Sequence, residues 1–292
     1  MMVLVTGGTG FVGSHTVAAV KSAGHEAKLF VRNPARIGPA LEPHELSTRD
    51  FEHAVGDVND VASVRRALEG CDAVIHAGSA YAYNLPFWKA RALMKTNVEG
   101  TANVLRAARD MRLDPIVYVS TSWAIVQSTP TVLTEDSPIG HPPDAYPRSK
   151  ARAEGIARQM QEEGAPVVIT YPPGVWGPHD PYWGETAQLA EMILRGRLPF
   201  IPDGTGPFCD VRDVARLHAA VLEPAKGPGA ISSRLTVHGS AMSSGSWPRP
   251  PAGTSRRSAY RTARPCGRLA RCSGPRPSPR SGCPSPTPDR GT

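Results

Sequence analysis

The first thirteen residues, MMVLVTGGTGFVG, constrain the fold of this chain more than any other stretch. Residues 2–6 form a short apolar run rich in β-branched side chains, which is typical of a buried parallel strand. Residues 11–23 then have helical spacing and end at Gly24, a residue type common just after helices. Glycines between a strand and a helix permit a tight turn, close approach of the backbone to a phosphate, and close helix packing. The sequence therefore predicts a dinucleotide-binding turn and not an ordinary glycine-rich turn.

The rest of the first half alternates between two kinds of pattern. Five further apolar segments have the length and composition of strands, and they lie at residues 26–32, 51–58, 72–76, 115–120 and 166–171. Helical spacing is found at residues 61–68, 86–111, 146–163 and 210–223. Strands that alternate with helices imply right-handed crossovers and a parallel sheet. We therefore expect an α/β fold with a doubly wound parallel sheet over residues 1–171.

The composition changes twice after this region. Residues 172–239 are rich in Pro, Gly and aromatic side chains, which predicts a small, incomplete C-terminal substrate lobe with some segments that return to the sheet. From residue 240 to 292 both periodicities vanish and Pro, Arg, Ser and Gly dominate, a composition that cannot bury a core. The favoured interpretation of this tail is a shifted reading frame in a GC-rich gene. The alternative is a basic arm that binds nucleic acid or an acidic surface.

The net charge of +7 belongs to this tail. From Trp247 onward there are ten Arg, no Lys and one Asp, so the remainder of the chain has a formal charge of −2. We therefore expect no nucleic-acid binding by the folded body. No apolar run reaches the ~18 residues that span a bilayer, and we interpret the apolar N-terminus as a core strand and not a signal peptide. The five cysteines form no CxxC pair, which favours a reduced, cytoplasmic protein without a structural metal.

Several candidate cofactor residues follow predicted strands, where open α/β sheets bind their ligands. Arg32 ends the second strand, and a guanidinium there favours the 2′-phosphate of NADP, whereas an acidic residue would favour NAD. The alternative is a surface arginine. Asp57 ends the third strand and would accept a hydrogen bond from the adenine amino group or serve as a turn residue. Ala77 and Gly78 follow the fourth strand and are small enough to let a cofactor pass close to the backbone.

A candidate acid/base pair lies farther along the chain. Tyr146 and Lys150 are four residues apart in a predicted helix, so the phenol and the ammonium share one face. A free tyrosine has a pKa of about 10, and a nearby ammonium lowers that pKa by stabilising the phenolate. Pro147 disfavours helical angles at Tyr146, which fits a helix that begins there. His76, at the end of the fourth strand, is expected to be a packed, hydrogen-bonded residue and not a metal ligand.

Six segments are informative together: TGGTGFVG (6–13), GDV (56–58), TNVEGT (96–101), VYVSTS (117–122), YPRSK (146–150) and PPGVWGP (172–178). In this order and spacing they resemble one family, the extended short-chain dehydrogenase/reductases. The resemblance covers about residues 1–225 and includes dihydroflavonol reductase-like, 3β-hydroxysteroid dehydrogenase-like and nucleotide-sugar epimerase/dehydratase enzymes. It implies a Rossmann fold, a homodimer formed by the long helices, and transfer of hydride between NAD(P) and a carbonyl or secondary alcohol of a small organic substrate. A nucleotide-sugar epimerase/dehydratase and a non-catalytic NADP-binding regulator are the alternatives.

The resemblance also implies roles for individual residues. Tyr146 is the expected general acid/base, with Lys150 lowering its pKa and binding the nicotinamide ribose. Ser122, with Thr121 as second choice, is expected to hydrogen-bond the substrate oxygen, and Asn97 to hold a water in the proton relay. Besides Tyr146 and Lys150, the expected cofactor-binding residues are Gly7, Thr9, Gly10, Phe11, Val12, Gly13, Arg32, Asp57, Val58, Ala77, Gly78, Pro173 and Val175. Tyr171 stands where the family usually has Arg, and residues 125–127 read IVQ where it often has VYG, so the substrate class stays open.

Overall fold

The structure, a computed structural model, describes residues 1–82, 86–127, 133–197 and 207–231. The tail predicted at residues 240–292 lies outside the described residues, as does the last part of the predicted lobe, residues 232–239. The predicted boundaries at residues 171 and 239 stay predictions.

A parallel sheet of seven strands forms the centre of the described chain. Its strands are β1 (Met2–Thr6), β2 (Glu26–Val31), β3 (Glu52–Val55), β4 (Ala73–His76), β5 (Ile116–Val119), β6 (Val167–Thr170) and β9 (Gly229–Ile231). They lie in the order β3-β2-β1-β4-β5-β6-β9, and each neighbouring pair is parallel. The doubly wound sheet is therefore confirmed. From β1 the chain continues to β2 and β3 on one side of the sheet and then crosses to β4 on the other side of β1. This reversal leaves a crevice where β1 and β4 end.

The predicted helices are present, with one subdivision. The helices are α1 (Phe11–Ser22), α2 (Ile37–Leu41), α3 (Val61–Leu68), α4 (Phe87–Met94), α5 (Gly100–Asp110), α6 (Ala145–Glu162), α7 (Glu185–Leu194) and α8 (Val211–Ala220). The long pattern predicted at residues 86–111 consists of α4 and α5 joined by a π-helical turn, Lys95–Glu99. Such turns are rare in proteins overall, and those that do occur often lie at functional sites.

Both faces of the inner strands β1, β4, β5 and β6 are buried, which explains why these strands are mostly apolar and do not alternate with polar residues, whereas the edge strand β3 is largely exposed. Leu4 faces α3, α5 and α6, whereas its neighbours Val3 and Val5 face α1 and α2. Each of the three is fully buried. The side-chain alternation along a strand therefore feeds two hydrophobic layers at once.

The described part of residues 172–231 contains short strands as well as helices. Strands β7 (Gly174–Trp176) and β8 (Phe208–Asp210) form a second, two-stranded parallel sheet, in which the rings of Trp176 and Phe208 lie 4.2 Å apart. Helix α8 then packs against α1, where His218 Nδ1 lies 2.8 Å from Thr16 Oγ1. None of the helices in the described ranges combines the length and apolarity that a membrane crossing needs.

Candidate active site

The glycine turn after β1 is built by backbone contacts. Gly7 has a φ of +72°, a backbone angle that residues other than glycine rarely adopt. Its carbonyl accepts a hydrogen bond of 2.8 Å from the N–H of Gly10. A Cβ on Gly13 would overlap the carbonyl oxygen of Gly7 and lie 2.6 Å from its carbonyl carbon. No side chain caps α1, so the N–H groups of its first turn remain available to an anion. The turn therefore has the form of a phosphate cradle.

The crevice between β1 and β4 is lined by residues with little or no side chain. A Cβ on Gly7 would lie 2.7 Å from the Cα of Gly78, and one on Gly78 would lie 2.9 Å from Thr6 Oγ1. The N–H of Gly78 donates to the same Thr6 oxygen at 3.0 Å. The structure thus places Ala77 and Gly78 beside the glycine turn, as a cofactor lying across the strand ends requires.

Two exposed arginines lie in the segment that follows β2. Arg32, just after β2, is exposed and forms no hydrogen bond or ion pair with any residue in the described part of the chain. Arg36 Nη1 lies 3.4 Å from the hydroxyl of Tyr182, and its guanidinium lies 5.5 Å from the centroid of that ring. Sequence analysis did not single out Arg36, because the contact joins residues 146 positions apart.

Asp57 stabilises the turn after β3, which is one of the two roles predicted for it. Its Oδ1 accepts hydrogen bonds from the backbone N–H and the side-chain amide of Asn59, at 2.9 and 2.8 Å. The adenine-binding role stays a prediction. Val58 packs against Gly100, where a Cβ would lie 2.6 Å from Val58 Cγ2, and its carbonyl accepts 2.9 Å from Asn103 Nδ2.

The predicted acid/base pair lies on the first turns of α6. The helix begins at Ala145, so Pro147 lies in its first turn, where proline is tolerated. Tyr146 is half-buried, and its ring meets Tyr81 edge-on at 4.7 Å. Lys150 is buried: its Nζ donates 2.7 Å to the carbonyl of Val119, the last residue of β5.

The environment of Lys150 changes its proton affinity. Burial lowers the pKa of the Lys150 ammonium from its ordinary value to about 7, and the charge of Glu154 opposes this effect. The ammonium also lies 4.5 Å from the centroid of the Tyr118 ring, a cation–π contact. A lysine poised near neutral pH, one turn after a tyrosine, is an arrangement suited to proton transfer.

Ser122 begins a 3₁₀ turn, Ser122–Ala124, that follows β5 and packs against α6. Its N–H donates 3.1 Å to the carbonyl of Pro172, whereas its Oγ bonds to no residue that the structure describes. The Thr121 hydroxyl instead accepts 3.4 Å from the N–H of Trp123 and so caps the turn. This difference favours Ser122 over Thr121 as the free hydroxyl. Pro173 is buried just beyond β6, and Val175 lies in β7 opposite Cys209.

Asn97 lies in the π-helical turn and is fully engaged with protein groups. Its Oδ1 accepts from the N–H of Ala80 at 2.7 Å and from Ser79 Oγ at 3.2 Å. Its Nδ2 donates to the carbonyl of Ala80 at 2.9 Å and to Ser149 Oγ at 2.8 Å. Asn97 thereby joins the segment after β4 to α6. Its expected role in holding a water molecule stays a prediction.

His76 connects β1 to α5 through contacts of both its ring nitrogens. Its Nδ1 lies 2.7 Å from Thr6 Oγ1, and its Nε2 lies 3.0 Å from Thr101 Oγ1, which itself donates to the carbonyl of Asn97 at 2.6 Å. Burial, and then the charge of Lys150, lower the pKa of His76 to about 3, so the imidazole is neutral near pH 7. No cluster of three metal-ligating side chains occurs in the ranges that the structure describes.

A buried carboxylate that sequence analysis missed lies one turn beyond Lys150. Glu154 is fully buried and accepts hydrogen bonds from Ser120 Oγ at 2.7 Å, Tyr171 OH at 2.9 Å and Arg158 Nε at 2.9 Å. Its four-residue spacing from both Lys150 and Arg158 is the signal in the sequence that could have identified it. Tyr171, at the position where the family usually has Arg, therefore supports the carboxylate while α6 supplies the guanidinium.

A parallel sheet whose switch point opens onto a glycine turn and the start of a helix is the architecture of dinucleotide-binding folds, and this chain has that architecture. The sequence profile of the NAD-dependent epimerase/dehydratase family matches residues 3–232. The chain belongs to that family.

Individual relatives agree with this assignment. Cinnamoyl-CoA reductase 1 of Oryza sativa subsp. japonica is 30% identical over 244 residues, 78% of this chain and 69% of that protein. A 4-hydroxy-2-methyl-3-oxo-4-farnesyl-3,4-dihydroquinoline-1-oxide ketoreductase of Stigmatella aurantiaca is 28% identical, over 78% of this chain and 66% of its own length. This chain spans about two thirds of the length of the curated relatives it matches.

Among solved structures, a dTDP-glucose 4,6-dehydratase from Streptomyces venezuelae superposes with a TM-score of 0.67 at 27% identity. The match covers 80% of this chain and 76% of that one, and the crystal contained NAD. The family likeness therefore includes both reductases and a dehydratase.

Proposed function

We propose that this protein is an NAD(P)-dependent oxidoreductase of the extended short-chain dehydrogenase/reductase type, which transfers hydride between nicotinamide and a carbonyl or secondary alcohol of a small organic substrate. The observation that carries the proposal is Lys150, a buried lysine that bonds to the end of β5 one helical turn after Tyr146. Two relatives are named as reductases, which supports the same reaction class. The glycines at 7, 13 and 78 leave the space that a dinucleotide backbone needs.

The chain's own residues would perform the proton transfer. The nicotinamide, when bound, supplies or accepts the hydride. In the reducing direction Tyr146 donates its phenolic proton to the substrate oxygen, and the Ser122 hydroxyl holds that oxygen in place. The Lys150 ammonium stabilises the phenolate left behind, because opposite charges at short range in a buried site attract strongly.

The first test is Tyr146→Phe, which removes only the acidic hydroxyl. With NADPH and a panel of aldehydes and ketones, we expect turnover to fall by about 100-fold or more, while calorimetric affinity for NADPH is retained. Tyr182→Phe removes an exposed phenol elsewhere and is the matched control. Full activity in Tyr146→Phe would contradict the proposal.

A nucleotide-sugar epimerase or dehydratase is the second candidate, favoured by the likeness to the dTDP-glucose 4,6-dehydratase. In that reaction the cofactor is reduced and re-oxidised within one cycle, so a substrate is converted without net consumption of NADPH. Net consumption distinguishes the two enzymes. A non-catalytic NADP-binding regulator would bind the cofactor and convert no substrate, and Tyr146→Phe would leave it unaffected.

We infer a preference for NADP over NAD from Arg32. Its exposed guanidinium follows β2 and has no partner among the described residues, so it is available to a 2′-phosphate. Arg32→Ala should weaken NADPH binding by about 10-fold, the range of one charge-assisted hydrogen bond, and leave NADH binding unchanged. Arg66→Ala, an exposed arginine of α3, is the control. Equal losses for both cofactors would contradict the inference.

We also propose a homodimer formed through α4 and α6. Trp88 is 71% exposed there, beside a groove of about 570 Å³ that Arg91, Met94 and Arg152 also line. Large exposed aromatic side chains are enriched at protein interfaces. Light scattering should show a dimer that Trp88→Ala weakens, whereas Leu194→Ala, an equally exposed position on α7, has no effect. A monomeric wild-type protein would refute it.

The cytoplasm is the compartment we propose for this protein. Cys71 and Cys209, the cysteines within the described residues, form no disulfide. Cysteines that form no disulfide are usual where glutathione keeps thiols reduced. Fractionation of cells that express the tagged protein tests this assignment, and recovery from a secreted fraction would contradict it.

A further inference from the structure

Glu154 is a buried charge with an unusually complete set of donors. Ser120 just after β5, Tyr171 just after β6 and Arg158 from α6 all donate to its carboxylate. Arg158 Nη2 completes an ion pair at 2.7 Å, and the same nitrogen donates to Tyr171 OH at 3.0 Å and to the carbonyl of Ser137 at 2.9 Å. These donors stabilise the charged carboxylate, since a buried charge without them is costly.

Lys150 is the neighbouring residue whose proton affinity this charge raises. It lies four residues before Glu154 on α6, and positions i and i+4 share one helix face. Its own contacts are the Val119 carbonyl and the Tyr118 ring, and within the described chain it forms no ion pair. A buried ammonium with only neutral contacts loses affinity for its proton, and a carboxylate nearby restores it.

Three titratable groups near Lys150, namely His76, Tyr118 and Tyr171, are neutral near pH 7. His76 on β4 is neutral because burial, and then the charge of Lys150, lower its pKa to about 3. Burial raises the pKa of Tyr118 on β5 and of Tyr171 beyond β6, so both phenols keep their protons. Tyr146, on α6 as well, is the phenol on which Lys150 is proposed to act. The charge that acts on Lys150 from these elements is that of Glu154, and Arg158 is the ion-pair partner of Glu154.

We propose that Glu154 is a positioning residue of the catalytic machinery: its buried carboxylate keeps Lys150 in the ammonium form, and Arg158 moderates the strength of that charge. The catalytic consequence rests on the proposed function, because it requires Lys150 to act on Tyr146. The electrostatic coupling itself does not. A carboxylate with a purely structural role would hold β5, β6 and α6 together without altering the protonation of Lys150.

The test is the titration of Lys150 in the full-length, cofactor-free protein labelled with [13Cε]lysine. The chain has six lysines, and loss of one NMR signal in Lys150→Arg assigns the resonance. In Glu154→Gln the titration midpoint of Lys150 should fall by about one pH unit, since a neighbouring charge has been removed. In Arg158→Gln the midpoint should rise, because the carboxylate is then less compensated. Glu162→Gln, an exposed glutamate of the same helix, should leave it unchanged.

The two variants make the proposal falsifiable even if one of them is unstable. A midpoint that is the same in Glu154→Gln and wild type overturns the proposal, as does a shift of both variants in one direction. If Glu154→Gln does not fold, the absence of a rise in Arg158→Gln overturns it. A shifted midpoint in a protein whose Tyr146→Phe variant keeps full turnover would refute the proposed function and leave this coupling intact.

Catalysis provides the second readout. If Lys150 must be protonated, the rate falls as pH rises through its pKa, so Glu154→Gln should move the alkaline limb of the rate profile to lower pH by the same amount as the NMR midpoint. A lower rate with an unmoved profile would indicate a structural role only and would count against the proposal.

Discussion

The two flanks of the site are built by different means. On the glycine-turn flank, between β1 and α1, the contacts are between backbone atoms: the Gly10 N–H with the Gly7 carbonyl, and Gly13 against the same carbonyl. On the catalytic flank, between β5 and α6, buried charged side chains make the contacts, with Lys150 bonded to Val119 and Glu154 to Ser120.

This difference determines how each flank responds to change. A backbone-built turn tolerates no added atom, because backbone cannot move aside as a side chain can. A flank built from buried charges tolerates changes of shape better than changes of charge, and its behaviour depends on pH. The predictions below test this contrast, from the largest expected effect to the smallest.

Gly13→Ala should abolish cofactor binding. The added Cβ would overlap the Gly7 carbonyl, so the turn or α1 must move, and overpacking of this kind costs about 1–3 kcal/mol. Calorimetric titration with NADPH and with NADH should then detect no binding for either cofactor. Gly38→Ala is the control, because a Cβ there meets only Thr48 Oγ1 at 3.5 Å. Wild-type affinity in Gly13→Ala would show that the turn does not bind the dinucleotide.

Lys150→Met should lower turnover by about 100-fold, within the usual range for one proton-transfer group, and should raise stability at low pH. The folded-state pKa of about 7 lies below the usual value for lysine, about 10.4. Below pH 7 the wild-type protein therefore carries the full cost of a buried ammonium, on the order of 4 kcal/mol, and this cost falls as pH rises toward 10. The gain in melting temperature of Lys150→Met over wild type should shrink between pH 6 and pH 9. A gain that grows with pH would contradict the assigned burial cost.

The fold was predictable where its signals are local. Six strands of the main sheet have apolar runs long enough to recognise, and glycine marks the turn after β1. Strand β9 was missed because it is three residues long and begins with Gly229, and its identity as a strand depends on pairing with Val168 of β6. The β7–β8 pair was missed for the same reason, since each strand has three residues.

The site was predictable where one motif contains its residues. Tyr146 and Lys150 are four residues apart, and that spacing specifies a shared helix face. The hydrogen-bond partners of Glu154 were not visible in the sequence, because Ser120 and Tyr171, just after β5 and β6, lie 34 and 17 positions away from it. The pattern around His76 was hidden likewise, because Thr6 and Thr101 lie 70 and 25 positions from it.

His76→Leu should destabilise the protein by about 2 kcal/mol at pH 7, because Thr6 and Thr101 lose buried hydrogen-bond partners. The folded-state pKa of His76 lies below its unfolded value, so its contribution is present above about pH 6.5 and is lost as pH falls toward 3. Urea unfolding at pH 7 and at pH 5 should therefore show a smaller deficit for the variant at the lower pH. His53→Leu, at an exposed position of β3, is the control. An equal deficit at both pH values would mean that the imidazole is not buried in its neutral form.

Arg65→Met should change stability by less than about 0.5 kcal/mol, although Arg65 Nη2 lies only 2.7 Å from Asp110 Oδ2. Both side chains are about half exposed, so water and salt screen the pair, and Asp110 keeps a second partner in Arg109 at 3.2 Å. The Arg158–Glu154 pair has the same length, but its carboxylate is fully buried and would be left without its cation in Arg158→Met. Urea unfolding of the two variants in low and high salt separates the two cases: Arg65→Met should match wild type in both, and Arg158→Met should be less stable by about 3 kcal/mol in both. Comparable losses of stability in the two variants would contradict the expectation that burial of the Glu154 carboxylate makes its ion pair contribute more than the exposed pair.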